Sequence, residues 1–177
     1  MTVSLTIDTA TSQTIVGLVD GEKILFIESH EGATDHGRAV SSLVAKALLG
    51  NPAPDQVVVG MGPGPYTGLR VGIAFAQTFA LARQIKCIGI CSLDAISVDQ
   101  SDYTVAIDAR RKEIYWATYK DCKRVAGPEV SKPDEAPTNI FGLFPSPKKM
   151  VELALHQDYD ELFYLRRPDA VPTAERP

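Results

Sequence analysis

"VSLTIDTATSQTIVGLVDGEKILFIES", Val3 to Ser29, is the stretch on which the fold turns. Three runs rich in β-branched and aliphatic residues stand in it, Val3–Asp8, Gln13–Val19 and Lys23–Ser29. Asp20–Gly21, between the second and third, is a hairpin signal, so the stretch reads as an antiparallel meander. The period then changes. Ala39, Val40, Leu43, Val44, Ala47 and Leu48 recur at helical spacing, which predicts a helix over Asp35–Leu49 ended by Gly50 and Pro52. "QVVVGMG", from Gln56, is a continuous apolar run of the kind buried on both faces of a parallel sheet. A glycine- and proline-rich turn, a second helix and a strand "QIKCIGIC" complete the order strand-strand-strand-helix-strand-helix-strand. That is the element order of a ribonuclease-H-like core, the building block of actin-like two-lobed α/β proteins.

The rest of the chain echoes the beginning. "LTIDTATSQTIVGLV" from Leu5 and "VAIDARRKEIYWATY" from Val105 share strand, aspartate, polar turn and strand, with Asp8 and Asp108 in the same place. A duplication is expected, with residues 1–100 as the first lobe and 101–177 as a shortened second lobe and tail. After "YTVAID" and "EIYWATYK" comes a proline-rich stretch, "GPEVSKPDEAPTNIFGLFPSP". One helix is predicted beyond it, over Lys148–Gln157, with Ser146 as N-cap and Pro147 at the first helical position. The tail "YLRRPDAVPTAERP" is expected to be extended.

The turn and second helix, "GMGPGPYTGLRVGIAFAQTFALA" from Gly60 to Ala82, invite a nucleotide reading that the residues do not support. A phosphate loop needs a lysine, and none lies between Gly60 and Ala82. Gly62 and Gly64 begin a dinucleotide fingerprint, but Thr67 holds the third glycine's place. Pro63 and Pro65 carry no N–H to aim at an oxygen. The turn is expected to bind no cofactor, and Thr67 to cap the helix. Along that helix Gly68, Gly72, Ala76 and Ala80 form one ridge of minimal side chains, beside a bulky ridge of Val71, Phe75 and Phe79. Polar residues, Arg70 among them, cover only a narrow strip. A helix apolar nearly all round is buried on more than one side, and small residues permit close helix packing. The small ridge is therefore expected to be a partner-binding face.

Catalytic groups do not assemble in the sequence. His36 opens the first helix, and Val40 stands where a second histidine of an H-x-x-x-H metal pair would be. A two-metal nuclease needs several converging carboxylates, whereas the fourth strand ends in Gly60, Met61 and Gly62. No catalytic, metal or cofactor residue is assigned. Cys87 and Cys91 sit in an apolar strand and read as buried structural thiols. A net charge of −4 and a pI near 5.4 argue against independent nucleic-acid binding. Without a membrane-length apolar run or a signal pattern, a cytoplasmic location is expected.

"LTIDTATS", "GMGPGPYTGLRVGIAFAQTFA", "VAIDARRKEIYWATY" and "FYLRRPDAV" together resemble the TsaB family of tRNA threonylcarbamoyladenosine biosynthesis proteins, over about Val3–Val171. The resemblance implies the actin-like fold and kinship with TsaD, the catalytic subunit, whose relatives carry the histidine metal pair. It also implies a non-catalytic role: pairing with TsaD, joined by the ATPase TsaE, in placing threonylcarbamoyl on an adenosine of tRNAs reading codons that begin with A. A homodimer is expected when the partner is absent, and contact with tRNA only through the complex. The pairing surface carried over comprises Asp35, His36, Ala39, Val40 and Leu43 of the first helix, with Thr67, Gly68, Arg70, Val71, Gly72, Phe75, Ala76, Phe79 and Ala80 of the second. The chain is short for the family between Tyr119 and Ser146. The competing expectation is an enzyme of the same fold, an ATP phosphotransferase or a relative of metal-dependent peptidases.

Overall fold

Alternation along the fourth strand sets the layers of the first half of the molecule. Val57 and Val59 point to one face of a sheet and Val58 to the other, and all three are buried. The computed structural model describes residues 2–32, 34–137 and 140–165. In it β1 (Val3–Asp8), β2 (Gln13–Asp20) and β3 (Lys23–Glu31) form the meander. It is followed by α1 (His36–Leu48), β4 (Gln56–Gly60), α2 (Tyr66–Arg83) and β5 (Lys86–Ile90). The sheet order is β3-β2-β1-β4-β5, with β4 parallel to both β1 and β5. This is the expected strand-strand-strand-helix-strand-helix-strand unit. Helices α1 and α2 lie side by side on one face, over Leu5, Ile7, Val16, Leu18, Val57 and Val59.

A second sheet has the order β8-β7-β6-β9, built from β6 (Tyr103–Arg110), β7 (Glu113–Lys120), β8 (Lys123–Ser131) and β9 (Ile140–Phe141). The turns after β1 and β6 share one hydrogen-bond pattern. Ala10 N–H donates to Asp8 Oδ1 and Arg110 N–H to Asp108 Oδ1, each at 2.9 Å. Sequence reading missed β8 because Gly127–Pro128 interrupts its pattern; the strand tolerates them through irregular pairing with β7 at Thr118. The last helix, α3 (Pro147–Leu153), stops short of the expected Gln157, and Ser146 makes no side-chain cap. α3 does not cover the second sheet. Met150 packs with Val58, Ile90 and Ala95 on the first sheet, on the face opposite α1 and α2.

The following segment also returns. Tyr159 N–H donates to Gly89 O at 2.9 Å and Phe163 N–H to Met61 O at 2.8 Å. Both rings touch the cores of the two halves, so chain order and packing part company after residue 146. The expected extended tail, and most of the Phe163–Val171 motif, lie outside the described residues.

Candidate functional site

The segment Asp8–Ala10, where β1 ends, organises the region. Thr9 is buried beneath the start of α2, and its Oγ1 donates to Gly68 O at 2.8 Å. A Cβ at Gly72 would collide with Thr9 Oγ1, one at Gly68 would lie 2.8 Å from Thr9 O, and one at Gly64 would strike Ala10 O. The glycines therefore make room for the chain's own β1 turn. Gly68, Gly72, Ala76 and Ala80 are all buried within the monomer, against the β1 turn and the sheet. Thr67 does not cap α2 either: the helix starts at Tyr66 after Pro65, with no side-chain cap.

Asp8 is sealed in the same way. Ser92 Oγ donates to its Oδ2 at 2.6 Å, and a Cβ at Gly60 would occupy the carboxylate's place. Burial pushes Asp8 up to about 6, against the opposing pull of the Ser92 and Ala10 hydrogen bonds. The folded chain therefore holds a proton on Asp8 between pH 3.8, the ordinary value, and about 6. The group contributes most stability below the lower value, and that contribution is lost as pH rises through the upper one. Asp8→Asn keeps the shape and the acceptor for Ala10 N–H while removing the charge. It is expected to stabilise the protein at pH 7.5 by about 1–2 kcal/mol and to flatten the pH dependence between 3.8 and about 6, as read from urea melts.

The exposed part of the helix pair lies elsewhere. Gly37 and Val40 of α1, with Val71, Ala74, Phe75, Thr78, Phe79 and Ala82 of α2, line an open apolar groove of about 450 Å³. Val71, Phe75 and Phe79 are half-buried in it, and the two phenyl rings stack at 6.2 Å. Arg83 covers the far end of Phe79, and Arg70 lies over Tyr66. Of the α1 residues expected at the surface, Ala39, Val40 and Leu43 belong to the core, and Asp35 pairs loosely with Arg38. His36 is buried, and its Nδ1 lies 2.8 Å from Thr14 Oγ1. Sequence reading missed Ala74, Thr78 and Ala82. Their four-residue spacing beside Val71, Phe75 and Phe79 was visible, but it pointed to a free face only once the opposite ridge was known to be covered.

Other chemistry-bearing groups are structural. Burial pushes the Cys91 thiol up to about 12 and the half-buried Cys87 thiol up to about 11, so neither is a thiolate at neutral pH. Arg124 and Asp94 form an inner ion pair at 3.2 Å, and Tyr119 Oη and Gln157 Nε2 also donate to Asp94. Among the described residues no group of three histidine, cysteine or acidic side chains gathers to hold a metal. No helix there is long and apolar enough to cross a membrane.

Comparison with known proteins gives this geometry a family. The profile described as TsaD, tRNA N6-adenosine threonylcarbamoyltransferase, matches residues 30–168. An uncharacterized protein of Mycobacterium leprae is 38% identical over 97% of this chain. The match covers 57% of that protein's length, and its 205 aligned positions exceed the 177 residues here, so the relative carries internal residues this chain lacks. The tRNA threonylcarbamoyladenosine biosynthesis protein TsaB of Escherichia coli is 39% identical over 34% of this chain and 29% of its own. A Pseudomonas aeruginosa crystal structure, described as similar to the peptidase YEAZ, superposes with a TM-score of 0.80 at 21% identity, covering 94% of this chain and all of that one. That likeness shows that the two chains share a fold. The chain belongs to the TsaD family, and over part of its length it is similar to TsaB proteins.

Proposed function

We propose that this protein is a non-catalytic subunit of the machinery that makes N6-threonylcarbamoyladenosine in tRNA. It binds and activates a TsaD-type catalytic subunit through the α1–α2 face, with a TsaE-type ATPase joining the pair. The observation that carries the reading is the open groove between α1 and α2, an apolar helix-pair surface on an otherwise charged, acidic chain. A partner of the same fold presents a matching helix pair, and two such pairs close into a four-helix contact by ridges and grooves. The same surface pairs two copies of this chain when the partner is missing.

The sealing of Asp8 supports the non-catalytic part. The aspartate ending β1 has its oxygens committed to Ser92 and Ala10. Residues 1–100 then serve as the docking lobe and 101–177 as a shortened second lobe, of which residues 147–165 strap back onto the first. The protein works in the cytoplasm and meets tRNA only within the complex, since its acidity disfavours phosphate on its own.

Reconstitution tests the reading directly. Purified TsaD-type and TsaE-type subunits, the enzyme that makes the threonylcarbamoyl donor, and unmodified tRNA are incubated with and without this chain. Modified nucleoside is expected only when the chain is present; equal modification without it would refute the proposal.

A further inference from the structure

The cleft beside the first turn of α2 is a set of hydrogen-bond donors with no acid among its walls. It has a volume of about 320 Å³, and the residues that matter in it are His36, Thr67, Gly68 and Arg110. α2 is an 18-residue helix that begins there with no capping side chain and no acid in its first turn. Its leading N–H groups therefore lack intrahelical partners, and the helix dipole adds partial positive charge.

His36 is the second, independent feature. The residue is only 5% exposed, and its Nδ1 meets Thr14 Oγ1 at 2.8 Å. Thr14 is fully buried, and among the described residues its hydroxyl has no other partner to receive its proton. A buried hydroxyl left without an acceptor is costly, so Thr14 donates to Nδ1 and the neutral ring carries its proton on Nε2. Burial, followed by the nearby charge of Arg110, lowers the His36 pKa and keeps the ring neutral at pH 7. Nε2 has no partner among the described residues, and it lies on the Gly68 side of the ring, where an added Cβ would come within 3.2 Å of it. The Nε2–H is thus a donor on the cleft wall. Arg110, which also pairs with Asp108 at 3.8 Å, adds a full positive charge.

The cleft continues past Thr11, Pro65 and Arg110 into an apolar recess of about 170 Å³. Ile107, Phe141, Leu143 and Phe144 form the apolar wall of the recess, Asp108 lines it beside its ion-pair partner Arg110, and Phe141 remains 53% exposed. Exposed aromatic surface beside a group of donors is the layout of a site for an anion with an apolar body.

We propose that this double cleft binds a small organic anion. Its carboxylate or phosphate oxygens sit on the first turn of α2, His36 Nε2–H and Arg110, and its apolar or aromatic part fills the Phe141–Phe144 recess. The prolines at Pro63 and Pro65 take no part, which distinguishes the site from a phosphate loop. The inference does not depend on the docking face and can fail or hold without it.

The test uses the chain alone. Long-range proton–nitrogen NMR reads the His36 tautomer, and calorimetry measures binding of inorganic phosphate, phenyl phosphate and benzoate. The Nε2–H form is expected in the free protein. Phenyl phosphate or benzoate should shift the His36 ring and the Thr67 and Gly68 amides, and bind about tenfold tighter than inorganic phosphate. The two aromatic acids separate a phosphate ligand from a carboxylate one, and tight binding of either supports the site. Arg110→Gln, a change at an exposed position, should weaken binding about tenfold. Phe144→Ala should erase the advantage of the aromatic acids. An Nδ1–H tautomer, unmoved signals at tens of millimolar ligand, or unchanged affinity in Arg110→Gln with the fold intact by melting would each overturn the proposal.

Discussion

Gly72→Val is expected to destabilise the monomer by about 2–4 kcal/mol, measured by urea denaturation. The new Cβ would collide with Thr9 Oγ1, which is buried and committed to Gly68 O. Relief needs either a shift of the β1 turn or a lift of α2 from the sheet. The first breaks a buried hydrogen bond, and the second opens the core at Leu69, Ile73 and Ala76. Valine gains about 0.5 kcal/mol of helix propensity over glycine, too little to offset overpacking of about 1–3 kcal/mol plus a lost bond of about 1 kcal/mol. Gly37→Ala is the control. A Cβ there meets only Val71, at an ordinary 3.9 Å, so the propensity gain should leave that variant slightly more stable. A Gly72→Val protein as stable as the parent would show that Thr9 does not hold α2 in place.

Ala74→Arg is expected to abolish co-purification with a TsaD-type subunit and leave the melting temperature within about 3 °C of the parent. Ala74 is exposed in the middle of the groove, between Val71 and Thr78, so the arginine costs the monomer little. At a closed helix-pair interface the same side chain adds bulk and a buried charge without a partner, a penalty of several kcal/mol. Affinity should fall at least a hundredfold, which calorimetry or analytical ultracentrifugation resolves. The pair of variants separates two accounts of α2: Gly72→Val acts on folding and Ala74→Arg on association. Retained binding by Ala74→Arg would remove this face from the interface.

Several elements were legible before the structure because their signals are local. The meander, both main helices and the buried strand Gln56–Gly60 follow from period, hairpin chemistry and continuous apolar runs. β8 was hidden because Gly127 and Pro128 break its alternation, and only pairing with β7 makes those residues part of a strand. The same limit applied to α3. Its proline start was readable, but nothing local told which sheet Met150 would meet.

The candidate site divides along the same line. The sequence by itself determined that Gly60–Arg83 could not be a lysine-bearing phosphate loop, and that a body must approach the ridge Gly68–Gly72–Ala76–Ala80 closely. Those are statements about which atoms a stretch carries and how much room it leaves. Only the tertiary structure decided what fills the room. The body is Thr9 and Ala10, with Thr9 59 residues from the Gly68 carbonyl it holds, and its presence turns the neighbouring ridge of Val71, Phe75 and Phe79 toward the open groove. Small side chains permit close approach by anything, so a ridge of them names a contact without naming its occupant; that choice belongs to packing across the whole chain.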